Sequence, residues 1–189
     1  MNGEILIIDQ LLSYNDNLDK RDTLSIEMIV LHCTELPSLE MAREYGERII
    51  YEGSGTGNSG HYYIDRDGSI YRYVEDERIA HHVFSFNPGS IGIEIVNNGR
   101  YPHWFRSTDQ IPEEEYTAAQ IDAVKKLLRF LKKQYPLISK LSRHSDLDTR
   151  KIEAEDNPRI LIHRKIDPGP LFPWDEILAE WVKIDRNAV

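Results

Sequence analysis

Two histidines and one aspartate stand where the chain can hold a side chain in a fixed direction. His32 ends the apolar run Glu27–Cys33, and His144 lies in the segment SRHSDLD. Asp167 lies in HRKIDPGPLFPW, where two nearby prolines restrict the backbone as a metal ligand requires. Two imidazoles and one carboxylate suit Zn²⁺ better than Mg²⁺ or Ca²⁺. Three protein ligands leave the fourth tetrahedral position for water, which is the catalytic pattern.

The residue types alone are a weak signal for a metal site. The three residues are far apart in the sequence, and the chain has 7 histidines from which many other triples can be drawn. A lone histidine is more often a surface or core residue than a ligand. Residue types alone therefore leave two interpretations open: a metal site, or histidines with ordinary surface or core positions.

Glu94 interrupts an otherwise apolar run, SIGIEIV at Ser90–Val96. Alternation places Glu94 on one face with Gly92 and Val96, and the isoleucines on the other. Two readings stay open: an edge strand with Glu94 facing water, or a carboxylate at the floor of a pocket, where burial without a partner is costly. Beside a water held by a metal ion, that carboxylate would be a general base.

The elements that must position these residues alternate between strands and helices. The runs Glu27–Cys33 and Ser90–Val96 predict buried strands. The segment HYYIDRDGSIYRYV predicts a hairpin that turns at Asp67-Gly68. This order predicts an α/β fold, a single domain with a central mixed β-sheet flanked by helices.

Three segments have the periodicity of helices. In SLEMAREYGERIIYE, Ser38 is the predicted N-cap, and in TAAQIDAVKKLLRFLKKQY, Thr117 and Gln120 form a capping box. The third segment is WDEILAEWVKI, near the C-terminus. The apolar stripes of the three helices are, in order, Leu39, Ala42, Tyr45 and Ile49; Ile121, Val124, Leu128, Leu131 and Tyr135; and Trp174, Ile177, Leu178, Trp181 and Val182.

Length, charge and cysteine content narrow the class of protein. The chain has 189 residues, the size of one domain. Its net charge of −9 argues against generic binding to nucleic acid or to an anionic membrane. Its 1 cysteine allows no internal disulfide. Since the sequence shows no signal peptide and no apolar run long enough to span a membrane, we expect a cytoplasmic protein. We also expect a monomer. A delivered or phage-released protein stays open.

Six segments in order resemble one known superfamily. They are IVLHCTE, SGHYYIDRDGSIYRYVEDERIAHH, GSIGIEIVN, YTAAQIDAVKKLL, SRHSDLD and RKIDPGPLFPW, within about Ile29 to Trp181. Together they resemble the zinc-dependent N-acetylmuramoyl-L-alanine amidases of the AmpD, phage-lysozyme and peptidoglycan-recognition-protein superfamily. The nearest resemblance is to the AmpD-like branch, because K.DPGP stands where phage lysozymes and many recognition proteins have a cysteine ligand.

The resemblance implies a role for each candidate residue. His32, His144 and Asp167 would bind zinc. Glu94 would orient and deprotonate the attacking water, and Lys165 would stabilise the oxyanion on the scissile carbonyl. His82 in RIAHH matches a histidine of the family and is predicted to line the substrate groove, although a structural hydrogen bond is the alternative. Residues 27–189 would form the zinc amidase domain, and residues 1–26 an N-terminal extension packed on it.

The chain departs from the pattern of the family at three places. An insert at about residues 150–163 separates His144 from Asp167, and it adds His163 as a competing ligand candidate. We expect the insert to be a surface excursion that shapes the groove. Gly60 stands where phage lysozymes carry a catalytic tyrosine, so that role is absent here, which raises the importance of Glu94. The segment HHVFSFNPGS replaces the usual continuation of the family, which leaves substrate contacts there open.

The predicted function is zinc-dependent hydrolysis of the amide between N-acetylmuramic acid and L-alanine in peptidoglycan or muropeptides. Two alternatives are kept: a non-catalytic peptidoglycan-binding module on the same fold, and a zinc amidase or peptidase with another substrate. The expected partners are peptidoglycan fragments or muropeptides. Both recycling of anhydro-muropeptides and lysis of the intact wall agree with the residues discussed.

Overall fold

A six-stranded mixed β-sheet forms the centre of the protein, which a computed structural model describes over residues 5–186. The strands in chain order are β1 (Ile7–Asp9), β2 (Met28–Cys33), β3 (Tyr62–Ile64), β4 (Ile70–Arg72), β5 (Ser90–Ile95) and β6 (Lys140–Arg143). Their order across the sheet is β1-β4-β3-β5-β2-β6. Only the β3–β4 pair is antiparallel within this sheet, and it is the predicted hairpin.

The two apolar runs form the central strands, as predicted. β2 and β5 are parallel and pair along their full length, from Met28 with Ser90 to Cys33 with Ile95. Strands buried on both faces have continuous apolar sequences, and five of the six residues of each strand are buried. Because β3 flanks β5 on its other side, β5 is not an edge strand.

The helices are α1 (Leu39–Gly46), α2 (Ala118–Gln134), α3 (His144–Leu147) and α4 (Trp174–Arg186). α2 begins with the predicted capping box, in which the Thr117 hydroxyl accepts from the Gln120 N–H and the Gln120 side chain accepts from the Thr117 N–H. α2 and α4 cover one face of the sheet, and their buried residues pack in one core with its isoleucines. This arrangement confirms the predicted α/β domain with helices flanking a mixed sheet.

A second core lies on the opposite face of the sheet. It contains α1, the loops that precede β2, and side chains that alternate away from α2, among them Tyr63 and Val96. His32 and Glu94 alternate to this same face, because their neighbours Leu31, Ile93 and Ile95 belong to the first core. The candidate chemistry is therefore on the side of the sheet opposite to the two long helices.

Two helical stripes differ from the prediction. α1 ends at Gly46, and Ile49 lies beyond it with 49% exposure. α4 buries Ile177 and Trp181, but Leu178 and Val182 are 38% and 40% exposed. The physical reason for α4 is that it packs on α2 over a narrow seam. Periodicity alone predicted a wider buried stripe than this seam covers.

The insert forms a two-stranded antiparallel hairpin, β7 (Lys151–Glu153) with β8 (Leu161–His163). Its residues are mostly exposed, as expected for a surface excursion. At one edge of the six-stranded sheet, β1 pairs with β4, so the N-terminal segment joins that sheet. The boundary at residue 26 stays a prediction, and residues 1–4 of the proposed extension lie outside the described residues.

In residues 5–186 no helix is both long and apolar enough to cross a membrane.

Candidate active site

His32 and His144 meet because they follow neighbouring parallel strands. His32 is on β2, and His144 is the first residue of α3, directly after β6. β2 and β6 pair with Leu31 beside Arg143, so the next residue of each chain segment is also side by side. Asp167 comes from the loop after β8, and its carbonyl oxygen accepts from the N–H of Ser145. Carboxyl ends of parallel strands are the usual place for ligand sites in α/β sheets.

Three donor atoms of these residues converge on one point. His32 Nδ1 lies 2.9 Å from His144 Nδ1 and 3.1 Å from Asp167 Oδ2, and His144 Nδ1 lies 3.0 Å from the same oxygen. The three residues are 2%, 4% and 2% exposed. Among the described residues they are the one group of three or more histidine, cysteine or acidic side chains arranged to hold a metal ion.

The chemistry of this triad fits zinc. Buried atoms normally have hydrogen-bond partners, but Asp167 Oδ1 has none among residues 5–186. Burial, with His144 as a neighbour, lowers the pKa of His32 to about 4, so this imidazole is neutral at pH 7 and can act as a ligand. Burial alone would raise the pKa of Asp167, but His144, Lys165 and the hydrogen bonds hold it well below its ordinary value. Two imidazoles and one carboxylate are a typical catalytic zinc set.

Glu94 stands beside the triad in the middle of the sheet. It is the register partner of His32 on one side and of Tyr63 on the other. The reading of Glu94 as a water-facing residue of an edge strand is therefore excluded. Burial and the nearby carboxylate of Asp167 raise the pKa of Glu94 well above its ordinary value. A Cβ at Gly60 would lie 2.8 Å from Glu94 Cγ, so the glycine leaves the space that this side chain occupies.

A cleft of about 650 Å³ opens over the triad. His32, His144, Asp167, Glu94 and Lys165 all line it, so the structure brings together the five predicted ligand and catalytic residues. Lys165 is partly buried. The cleft volume lies within the range of roughly 300–1,000 Å³ that is typical of small-molecule sites, so the cleft is large enough for such a ligand.

His82, the predicted substrate-binding residue, lies in the wall of the same cleft. Its Nδ1 is 3.0 Å from His32 Nε2, and its Nε2 is 3.2 Å from Ser90 Oγ. Both ring nitrogens are thus engaged by other side chains of the protein. The substrate-binding role of His82 stays a prediction.

His81 is a cleft residue that the sequence did not single out. Its ring meets Tyr51 edge to face at 4.9 Å between centroids, and its buried Nδ1 has no partner within the described residues. An unpartnered buried nitrogen in a cleft is a candidate contact for substrate. The two adjacent histidines of RIAHH were the available signal, but which one faces the cleft with a free nitrogen depends on packing.

A buried ion pair that the sequence also did not indicate supports the cleft. Arg100 donates from Nε to Glu35 Oε1 at 2.6 Å and from Nη2 to Oε2 at 2.9 Å. Two further N–H groups of Arg100 donate to the carbonyl oxygens of His163 and Arg164, next to Lys165, and another donates to Gln110 Oε1. Arg100 therefore ties Glu35 in the cleft wall to the segment that carries Lys165 and Asp167.

Four other side chains that could do chemistry have structural surroundings. Cys33 is buried, and burial raises the pKa of its thiol well above the ordinary value, which does not favour a nucleophile. His61 is fully buried, and its Nδ1 accepts from the N–H of Gly92. His163 is exposed on β8, outside the triad. Asp148 lies in the loop after α3, is buried and accepts from Arg150 and Arg164.

Comparisons with known proteins agree on one family. A family model described as N-acetylmuramoyl-L-alanine amidase matches residues 22–170. The curated protein 1,6-anhydro-N-acetylmuramyl-L-alanine amidase AmpD of Haemophilus influenzae is 29% identical over 131 residues, which are 64% of this chain and 57% of that protein. This match therefore spans less than two thirds of the curated relative.

Solved structures agree as well. N-acetylmuramoyl-L-alanine amidase LysC of Clostridium intestinale is 27% identical with a TM-score of 0.62, covering 94% of this chain and 97% of that chain. The Drosophila peptidoglycan recognition protein SD is 18% identical with a TM-score of 0.59, covering 78% of this chain and 87% of that chain. The second likeness concerns the fold alone, and it confirms the predicted resemblance to recognition proteins.

Proposed function

Because the chain belongs to the N-acetylmuramoyl-L-alanine amidase family, we propose that it hydrolyses the amide between the lactyl group of N-acetylmuramic acid and L-alanine, and that this reaction depends on zinc. One observation carries the proposal: the three donor atoms of His32, His144 and Asp167 lie within 3.1 Å of one another in a cleft that also contains Glu94. The AmpD relative supports the AmpD-like branch indicated by the sequence motifs.

His32, His144 and Asp167 would hold the zinc ion. When bound, zinc acts as a Lewis acid toward the amide carbonyl and lowers the pKa of water. The side chains of the triad face the same cleft as Glu94 and Lys165, so ion, water and substrate would meet in one place. The unpartnered Asp167 Oδ1 is available for a second contact with the ion or with water.

Glu94 is the proposed general base. Its Oε1 lies 3.9 Å from His32 Nδ1, so the carboxylate is next to the ion site without being one of the three clustered ligands. Glu94 would accept a proton from the attacking water and then deliver it to the nitrogen of the leaving L-alanine. Burial raises the pKa of the Glu94 carboxyl, and a raised pKa makes the carboxylate a stronger base than an ordinary glutamate.

Lys165 is the proposed electrostatic stabiliser. Its ammonium group would face the negative charge that develops on the carbonyl oxygen. By analogy with the loss of one oxyanion donor, this interaction contributes on the order of 3 kcal/mol to the transition state. The buried Arg100 pair, which binds the backbone of residues 163 and 164, holds the segment that presents Lys165.

We propose anhydro-muropeptides as the first substrate to test, because the curated relative is named for that chemistry. The protein would be incubated with a purified anhydro-muropeptide, with intact peptidoglycan and with a sugar-free stem peptide, and the products identified by mass spectrometry. Chelator-sensitive release of the stem peptide, restored by added zinc, is the expected result.

The alternative functions predict different products. Cleavage of the sugar-free peptide between amino acids would indicate a peptidase. Cleavage of intact peptidoglycan alone would indicate a wall-lytic amidase. Zinc binding without cleavage of any substrate would contradict the proposed activity and support a binding module.

A further inference from the structure

The ring nitrogen of His32 that points away from the triad meets His82. His32 Nε2 and His82 Nδ1 are 3.0 Å apart, and the two rings are nearly perpendicular, with an interplanar angle of 84°. At this distance the nitrogens form a hydrogen bond, so one of them carries a hydrogen and the other accepts it. Which nitrogen donates decides the tautomer of His32.

Ser90 settles the direction of this hydrogen bond. Its hydroxyl donates to the carbonyl oxygen of Phe86 at 2.8 Å, and a serine hydroxyl has only one hydrogen to give. Ser90 Oγ must therefore accept from His82 Nε2, which lies 3.2 Å away. His82 then carries its hydrogen on Nε2.

The direction of this hydrogen bond also fixes the tautomer of His32 at the candidate metal site. A neutral imidazole with hydrogen on Nε2 has a lone pair on Nδ1, so His82 Nδ1 accepts from His32 Nε2. His32 in turn has an unprotonated Nδ1, which is the atom 2.9 Å from His144 Nδ1 and 3.1 Å from Asp167 Oδ2. The hydrogen bonds thus run in one direction from His32 through His82 and Ser90 to the carbonyl oxygen of Phe86.

The surrounding structure holds His82 in this orientation. A Cβ at residue 92 would lie 2.6 Å from the His82 ring, so Gly92 allows the ring to lie against β5. The backbone N–H groups of His82 and Val83 both donate to Asn87 Oδ1, at 3.1 Å and 2.7 Å.

We propose that His82 is a positioning residue that selects the Nε2-protonated tautomer of His32 and leaves Nδ1 free to bind zinc. This inference rests on the proposed function, since it assigns a role toward the same ion. Partners that orient a ligating histidine typically affect metal affinity by 10–100-fold.

The test compares two replacements of His82 that separate hydrogen bonding from volume. His82→Asn places an amide oxygen near the position of Nδ1 and keeps the acceptor, whereas His82→Phe keeps the ring and removes the acceptor. Zinc affinity would be measured by competition with a chromophoric chelator. We expect His82→Phe and Ser90→Ala to weaken zinc binding about 10–100-fold, and His82→Asn to stay much closer to the unmodified protein.

His81→Phe is the matched control, because His81 lies in the same cleft wall and makes no hydrogen bond to a triad residue within the described part of the chain. Its zinc affinity should be unchanged. If His82 only filled space, Phe would be tolerated better than Asn. That order of affinities would overturn the proposal.

Imidazole ¹⁵N NMR on the zinc-loaded protein tests the tautomers directly. We expect His82 to be protonated on Nε2 alone, and the Nε2–H of His32 to be protected from exchange in the unmodified protein but not in His82→Phe. Hydrogen on His82 Nδ1 would refute the proposal. If the unmodified protein bound no zinc, the proposed function would fail, while spectra of the protein as purified would still decide the tautomer of His82.

Discussion

Glu94 Oε1 lies 3.9 Å from His32 Nδ1, because the two residues are register partners on adjacent parallel strands. The pairing of β5 with β2 therefore places a carboxylate that is only 15% exposed beside the candidate metal ligands. Both side chains face the cleft, on the side of the sheet opposite to α2 and α4. This relationship separates two tasks, holding the ion and moving a proton, and each task can be tested by itself.

Replacing Glu94 should abolish turnover without removing zinc. Glu94→Gln keeps the size of the side chain but cannot accept a proton. Since general-base catalysis contributes about 10²–10⁴-fold, we expect kcat to fall by that factor while zinc stoichiometry, measured by atomic absorption, stays the same. A variant with unchanged kcat would contradict the proposed mechanism even if the family is right.

The pH dependence of the rate should report the same carboxyl group. Burial and Asp167 raise the pKa of Glu94, so its base form is lost already as pH falls toward that raised value. We expect kcat/KM to rise with pH through an apparent pKa above the ordinary 4.5 of glutamate. This acidic limb should be missing from the residual activity of Glu94→Gln.

The identity of the second histidine ligand can be tested with two variants. His144→Ala should lose zinc and activity, because His144 Nδ1 is part of the buried triad. His163→Ala is the matched control and should keep both, since His163 is exposed on the inserted hairpin. Zinc content and amidase rate would be measured for both proteins, and loss of zinc from His163→Ala alone would reverse the assignment.

Lys165 should affect the rate more than substrate binding. Lys165→Met keeps much of the aliphatic stem and removes the charge. We expect kcat to fall about 10²–10³-fold, as for loss of one oxyanion donor, with a smaller change in KM. Steady-state kinetics on a soluble muropeptide would show this. An effect confined to KM would mean that Lys165 only binds substrate.

Glu35 should be important for stability. Glu35→Ala would leave the Arg100 guanidinium buried without its carboxylate, and breaking a buried pair in this way costs about 3–5 kcal/mol. Thermal or denaturant unfolding would measure the loss. The exposed pair between Glu44 and Arg48 is the control, and Glu44→Ala should leave the unfolding midpoint nearly unchanged. Equal midpoints for both variants would show that the buried pair contributes no more than the exposed one.

Asp148 should stabilise the protein in a pH-dependent manner. Its hydrogen bonds with Arg150 and Arg164 hold its pKa well below the ordinary value of 3.8. A lowered pKa in the folded state gives stability that is present above the unfolded pKa and is lost as pH falls toward the folded one. Asp148→Asn should therefore cost about 1–2 kcal/mol at pH 7. The difference should shrink below about pH 4, and a constant difference would contradict this explanation.

Local patterns in the sequence predicted much of the fold. The strands at 28–33 and 90–95, the hairpin at Asp67-Gly68 and the capping box of α2 were correct, because apolar runs, turn residues and caps act over a few neighbouring residues. The three side chains singled out as metal ligands also lie together in the structure. Their residue types and the family motifs carried that information without any knowledge of distances.

What local patterns could not predict depends on which elements are neighbours. Alternation left open whether Glu94 faces water from an edge strand or lies in a pocket. The strand order excluded the edge strand by placing β3 beside β5. The stripe of α4 was too wide because only its seam with α2 is covered. The apolar stripe predicted for α1 continued to Ile49, but the helix ends at Gly46.

The sequence by itself determined the class of fold, the family and the residue types of a candidate metal site. Only the tertiary structure decided that His82 lies behind His32, that Arg100 pairs with Glu35, and that Gly60 makes room for Glu94. The physical reason is one of range. Propensity and periodicity act between residues a few positions apart, whereas these contacts join segments 34 to 65 residues apart and exist only once the sheet has set their register.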